Sequence, residues 1–417
     1  MKRFLVGLFV MVFILQMLVI GFCADKSVND DDESQVPSTF TSTVANGDDA
    51  SKLPVEIKAK SAVLMDVATG EVLLQYNADT KLFPASVTKI MTILLVAEAI
   101  DSGRITLADK VACSQNAASK GGSQIWLEEG EVMSVDELLR ATVIGSANDA
   151  ATLLGEYISG SEESFIALMN ARAKELGMNN THFVNATGLD DTTDEHLTTA
   201  RDIAIMSTEL LKHSFITDYT TVWMDSLRNG ETELVNTNKL VRFYEGTTGL
   251  KTGTTAKAGC CVAASAQRDK LHLVAVVMGS ENSNDRFNTA KTLLSWGFTN
   301  YTLYIPEIEV KQYEKVKVNS GRSDFTETVF PDISPILIKK GEEEKVSVSV
   351  EICESVDAPV TEKQTLGTVK VTLDKELINE YKILSRSEVQ KLTLFDGFLK
   401  IINFISNGNT AYPFADT

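Results

Sequence analysis

The stretch PASVTKIMT, residues 84–92, places a serine and a lysine three apart where a proline gives way to a long apolar run. Pro84 and Ser86 suit the first turn of a helix, which Ile90, Met91, Ile93, Leu94, Leu95, Ala97 and Ile100 extend until Ser102 and Gly103 stop it. Apolar residues on most of its faces predict a helix in the middle of a domain. Two readings of the pair stand side by side. Either Ser86 is a helix cap and Lys89 a solvated first-turn charge, or the two are a nucleophile and its base. Positions i and i+3 share a helix face, so the second is within reach. It requires a neutral lysine, which burial or a nearby cation produces by lowering the pKa. Free N–H groups at the helix start would then face the negative charge developing on an attacked carbonyl.

Two more short elements bear on that choice. Ser146-Ala147-Asn148 falls between two helical runs, where a turn projects Ser146 and Asn148 into a cleft. Lys251-Thr252-Gly253, inside GLKTGTT at 249–255, begins on a strand-like run and supplies a second lysine. Thr252 offers a hydroxyl to a carboxylate, and Gly253 lets a substrate backbone approach the strand edge. Each element is weak alone: Ser27–Asn29 and Ser280–Asn282 repeat the Ser-x-Asn spacing. Their joint order and structural context make the signal strong.

Around these elements the sequence reads as mixed α and β. SAVLMDVATGEVLLQYN (61–77) is a hairpin turning at Ala68-Thr69-Gly70. Between Ile105 and Met178 the signals are mostly helical. Ser134 and Glu137 form a capping box, Asn148 opens DAATLLGEYI, and Ser161 caps a helix that ends at Gly177. A further helix fits 199–212. CCVAASAQ and LHLVAVVMG form a second hairpin around Arg268 and Asp269, and the helix DRFNTAKTLLSWGF follows. Hairpins flanking a helical block imply an α+β fold with an antiparallel sheet and the helices as an insertion. After Tyr301 the texture changes to short alternating strands, a small all-β domain without catalytic groupings.

The two ends carry other signals. Lys2 and Arg3 precede an apolar run from Phe4 to Ile20 and the small-residue region up to Ala24, the layout of a cleaved secretory signal, with an uncleaved transmembrane anchor as the alternative. Near the C-terminus, Phe395, Phe398, Leu399, Ile402 and Ile405 line one helical face, opposite Asp396, Lys400, Asn403 and Asn407. This helix is too short to span a bilayer and is expected to lie in a membrane interface, docking onto protein being the alternative. The expected layout is a signal peptide at 1–23, a disordered linker at 24–54, a catalytic domain at 55–300, a β-rich domain at 301–384, and an anchoring helix with tail at 385–417. The protein is therefore expected to be exported and held at the outer face of the cytoplasmic membrane.

Composition excludes some classes. A net charge of −18 offers no cationic surface to a nucleic acid. Cys113, Cys260, Cys261 and Cys353 fit no zinc spacing and read as small apolar residues, and the 4 histidines lack metal-ligand spacing, so no metal site is expected.

With Ser86-x-x-Lys89, Ser146-x-Asn148 and Lys251-Thr252-Gly253 in this order, the chain resembles the penicillin-binding proteins and class A β-lactamases. FPASVTKIMT, GGSQIWL, SANDAA, THFVNATGLD, TTARDIA and GLKTGTT narrow the resemblance to low-molecular-mass penicillin-binding proteins, serine D-alanyl-D-alanine carboxypeptidases, over essentially the whole chain. It implies a β-lactamase/transpeptidase-like antiparallel sheet with a helical subdomain, then the small all-β domain and the amphipathic helix. By the same resemblance, Ser86 is the acylated nucleophile, Lys89 the base, and Ser146 and Asn148 relay protons and hold the peptide. Lys251 supplies positive charge and Thr252 meets the terminal carboxylate; Arg286 either helps hold that carboxylate or is a helix-surface arginine. The backbone N–H groups of Ser86 and Thr254 form the oxyanion hole. The implied substrate is the peptidoglycan stem pentapeptide, β-lactams are covalent inhibitors, and no cofactor is required. Ser-Ala-Asn where class A β-lactamases have Ser-Asp-Asn, together with the second domain, argues against a β-lactamase. Endopeptidase or transpeptidase activity differs only in leaving group or acceptor and stays open. A silent scaffold of the same fold is disfavoured by the intact set. His182, with no acid–base partner, is expected to be structural.

Overall fold

The computed structural model describes residues 53–190 and 193–406 together with the two-residue strand 45–46. The expected signal peptide lies outside the described residues. In chain order the strands up to residue 280 are β1 (Ala45–Asn46), β2 (Ser61–Asp66), β3 (Val72–Tyr76), β4 (Lys110–Ala112), β5 (Val132–Ser134), β6 (Met224–Leu227), β7 (Thr232–Val235), β8 (Thr247–Thr255), β9 (Gly259–Arg268) and β10 (Leu271–Ser280). The main helices are α1 (Lys89–Asp101), α2 (Val135–Val143), α3 (Asn148–Ser159), α4 (Glu162–Glu175), α5 (Ala200–Leu210) and α6 (Ser283–Asn300).

The central sheet runs β1-β3-β2-β10-β9-β8, so the hairpin β2–β3 sits beside the hairpin β9–β10, as expected for an inserted helical block. All its pairings are antiparallel except β1 with β3. That short parallel pair occupies part of the segment expected to be a disordered linker; the rest of that expectation up to residue 52 falls on residues not described. Strand alternation divides the sheet between two cores. Val63, Met65, Val274 and Val276 face α1 and the helical block, whereas Ala62, Leu64, Ala275 and Val277 face Phe287, Leu293 and Leu294 of α6.

Helix α1 is buried from Lys89 through Ala97, packed against α2, α3 and α5. The expected caps hold: Ser134 and Glu137 make a reciprocal capping box, and Ser161 accepts from Ser164 N. Thr199, expected only to begin a helix, is also a cap and accepts from Asp202 N. Asn148 differs: it is the first residue of α3 rather than its cap, and Ala147 occupies the cap position. This frees the Asn148 side chain for the site.

Beyond α6, β11 (Tyr301–Tyr304) leads to β12 (Lys315–Asn319), β13 (Phe325–Val329), β14 (Ile336–Lys339), β15 (Val346–Ile352), β16 (Ser355–Asp357), β17 (Thr365–Leu373) and β18 (Glu376–Ser385). These form a two-stranded β11–β14 pair and a sheet ordered β15-β17-β18-β13-β12-β16. Alternation along β14 joins the two parts of the molecule: Leu337 enters the α6 core, while Ile336 and Ile338 pack with Val371 and Leu373. The β-domain continues past the expected boundary at 384. Val389 pairs with Val360 in a small core, and Leu392 N donates to Ser320 O at 2.8 Å. Helix α7 (Leu394–Ser406) follows, capped by Thr393, whose hydroxyl accepts from Asp396 N at 3.2 Å. Asp396 also pairs with Arg322 at 3.0 Å, so the helix starts tied to the β-domain. Among the described residues no helix is long and apolar enough to cross a membrane.

Candidate active site

Ser86 lies in a short 3-10 turn, Ala85–Thr88, that runs directly into α1 at Lys89. At three residues per turn, side chains i and i+3 eclipse, so the tighter turn stacks Ser86 over Lys89 more closely than an α-helix would. Lys89 Nζ is 3.1 Å from Ser86 Oγ. Both bland readings fail here. No side-chain cap exists at the turn, and Lys89 is fully buried. The turn itself is strained: Ala85 has φ 49°, in the left-handed region that residues with a Cβ rarely adopt.

Burial dictates the state of Lys89. Desolvation, then the charge of Lys251, press its pKa well below the usual lysine value; Asp149 opposes them with a smaller effect. Nζ also donates to Asn148 Oδ1 at 2.6 Å and Thr187 O at 2.9 Å. A neutral amine has two N–H bonds and one lone pair. In that form the two carbonyl oxygens would take both N–H bonds, leaving the lone pair for the Ser86 hydroxyl.

Ser146 is buried at φ 61°, on the bend between α2 and α3, and its hydroxyl has no hydrogen-bond partner among the described residues. Asn148 holds the loop that carries GGSQIWL: its Nδ2 donates to Gly121 O at 2.7 Å and its N–H to Ser123 O at 2.6 Å. Asp149, which sequence reasoning missed, completes this clamp. Its buried carboxylate accepts from Ile125 N and Leu127 N, on either side of Trp126.

The opposite wall is the edge strand β8. Lys251 is buried and donates to Thr252 O at 3.1 Å. Burial, then Arg286, lower its pKa to about 7. Thr252 Oγ1 donates to Thr237 Oγ1 at 2.7 Å, which adds a second hydroxyl that the sequence did not signal. Gly253 proves necessary for a different reason from the one expected. A Cβ there would lie 2.8 Å from Ser86 N and 2.9 Å from Pro84 O, so glycine lets the Ser86 turn close onto the strand. This close approach brings the backbone of Ser86 and Thr254 to one spot. Arg286 stands behind that spot: its Nη1 donates to Gly253 O at 3.1 Å, Thr254 Oγ1 at 3.0 Å and Cys261 O at 3.2 Å. It is buried and braces β8 and β9, with Thr254 between it and the cleft.

The remaining groups are architectural. His182 pairs by its backbone with Leu197 and meets Glu195 O through Nδ1, in keeping with a structural role. The four described cysteines are free; Cys113 and Cys261 are buried, with thiol pKa values pushed to about 11.

A strained serine turn on a buried lysine, closed by an edge strand with a second buried lysine, defines a serine-type acyl-transfer hydrolase. Residues 47–282 match the family model described as D-alanyl-D-alanine carboxypeptidase, and 301–391 match that of penicillin-binding protein 5, C-terminal domain. The chain belongs to the D-alanyl-D-alanine carboxypeptidase family. It is 42% identical to D-alanyl-D-alanine carboxypeptidase DacF of Bacillus subtilis, over 87% of this chain and 93% of the relative. Among solved structures it is similar to penicillin binding protein 5 from Haemophilus influenzae (TM-score 0.70, 29% identity, 81% of this chain and 99% of that one). It is also similar to ampicillin-bound penicillin-binding protein D2 from Listeria monocytogenes (TM-score 0.53, 31% identity, 58% and 98%).

Asp149→Asn replaces one acceptor oxygen by a donor in a pocket lined with backbone N–H groups. Leaving one of these unpaired is expected to cost about 1–3 kcal/mol. Urea unfolding of the variant against the parent measures this.

Proposed function

We propose that the protein removes the terminal D-alanine from peptidoglycan stem pentapeptides through an acyl-enzyme on Ser86, and that β-lactams acylate the same serine. The observation that carries this reading is the hydrogen-bond arrangement of Lys89, whose two carbonyl partners leave its lone pair for Ser86 Oγ at 3.1 Å. As Ser86 Oγ attacks the carbonyl of the D-Ala–D-Ala bond, its proton passes to Lys89 Nζ. The oxyanion is held by the N–H groups of Ser86 and Thr254. Ser146, with an uncommitted hydroxyl, relays to the departing amine the proton that Lys89 took from Ser86, giving up its own proton and taking that one in its place, so that Lys89 returns to its neutral form. Lys251 attracts the terminal carboxylate, which Thr252 and Thr254 bind with Arg286 reinforcing Thr254. Water then hydrolyses the ester to leave the tetrapeptide. The ampicillin complex of the Listeria relative supports the β-lactam part. No cofactor enters any step.

The protein acts at the outer face of the cytoplasmic membrane, a reading supported by the leader-like residues 1–23 and by α7. On α7, Phe395 and Phe398 are 68% and 60% exposed, with Leu399 and Ile402 alongside. Aromatic and aliphatic groups left in water on one face of a short helix are suited to the headgroup boundary of a bilayer.

Incubation with a muramyl pentapeptide ending in D-Ala-D-Ala should release a single D-alanine by mass, and Ser86→Ala should abolish both this and penicillin labelling. Labelling that persists in the variant would remove Ser86 as nucleophile. The pH dependence has a definite sign. Protonated Lys89 has no lone pair, so kcat/KM falls on the acid side; Lys251 loses its charge above about 7, so it falls again on the alkaline side. The alkaline limb should vanish for a substrate lacking the terminal carboxylate, and its persistence there would detach Lys251 from carboxylate binding. Truncation of the signal-cleaved protein after Leu392, which spares the β-domain core, should release it from membrane vesicles. A truncated form that remains bound would refute the anchor.

A further inference from the structure

His196 belongs to none of the three motifs, yet its fully buried ring touches the nucleophile turn. Its Nδ1 lies 3.2 Å from Val184 N, a group that can only donate, so Nδ1 accepts. The proton is therefore on Nε2, which donates to Thr88 Oγ1 at 2.9 Å. One neutral imidazole thus joins two segments. The first is the turn 85–88, which carries Ser86. The second is the loop 183–188, in which Thr187 O accepts from Lys89 Nζ. The two are already in tight contact, since a Cβ on Gly188 would collide with Ala85 O. Phe183 packs edge-on to the ring at 5.7 Å. Burial above all lowers the pKa of His196 to about 4, so the ring stays neutral in the working range.

We infer that His196 is a positioning residue for the acylation step: by locking the loop 183–188 to the nucleophile turn, it keeps Thr187 O on Lys89 and the lysine lone pair on Ser86. The inference rests on the reading of Lys89 as the base. If the loop shifts, one N–H of Lys89 loses its acceptor and turns toward Ser86 Oγ, which then receives a hydrogen bond instead of giving up its proton. Water entering the gap would also solvate the ammonium form and raise the lysine pKa. The consequences are slower acylation and an acid limb displaced to higher pH.

The test measures the second-order constant for acylation of the full chain by a fluorescent penicillin, across pH, for His196→Ala, His196→Asn, His196→Gln and Thr88→Val. Asn retains an acceptor at the Nδ1 position, and Gln retains a donor at the Nε2 position. His196→Ala is expected to acylate about a hundredfold more slowly, as for a misplaced catalytic group. Asn and Gln should fall between it and the wild type. Thr88→Val should resemble His196→Asn, because both lose only the link to the turn. The acid limb should move to higher pH in every variant that slows. The rate constant is read on molecules that label and the amplitude reports the folded fraction, so poor folding of His196→Ala does not mimic the effect, and the other three variants decide if it fails to fold. Rate constants matching the wild type, or equal losses at every pH with the acid limb unmoved, would overturn the inference. A wild-type protein that never labels at Ser86 would instead overturn the functional reading.

Discussion

Lys89 Nζ is closed off from water among Ser86 Oγ, Asn148 Oδ1 and Thr187 O, and much of the molecule is arranged around keeping it there. An ammonium group in such a place would be costly, because burial withdraws its hydration and Lys251 adds a second positive charge. Losing the proton relieves both. What remains is an amine whose orientation is set by its two acceptors, each from a different part of the chain: Asn148 at the start of α3, and Thr187 from the loop before α5. Anything that moves either acceptor changes which way the lone pair points.

The second lysine shows how the same physics gives a different result. Lys251 is as buried as Lys89, and desolvation, then the charge of Arg286 behind β8, lower its pKa to about 7, so it is charged below that pH and neutral above it. Two lysines in one cleft, one pushed well below the usual lysine value and one lowered to about 7, suit the proposed division of proton transfer from carboxylate recognition. The backbone is strained where the cleft needs it. Ala85 and Ser146 both have positive φ, and glycines at 188 and 253 admit contacts that no side chain would allow.

Much of this was legible in the sequence because it depends on local order. The Ser134–Glu137 box, the cap at Ser161, the two hairpins and the alternation after Tyr301 follow from spacing, turn chemistry and periodicity, which neighbouring residues settle among themselves. Local reasoning failed where a residue's purpose lies across the molecule. Asn148 has the chemistry of a cap but serves Lys89; Gly253 looks like a gap for substrate but accommodates the Ser86 turn; Val389 reads as tail but fills the β-domain core. Asp149, Thr237 and His196 carried no signal, since a lone acid, threonine or histidine has no periodicity to mark it.

The sequence by itself determined which groups could do chemistry and in what order they come, because Ser86, Lys89, Ser146, Asn148, Lys251 and Thr252 sit in short motifs whose types and intervals are covalent facts. Tertiary structure alone decided their states. Whether Lys89 is charged depends on desolvation and on a lysine distant in sequence, and where its lone pair points depends on carbonyl oxygens brought from two other segments. Solvent exclusion and the direction of a hydrogen bond exist only once the chain has closed around the site.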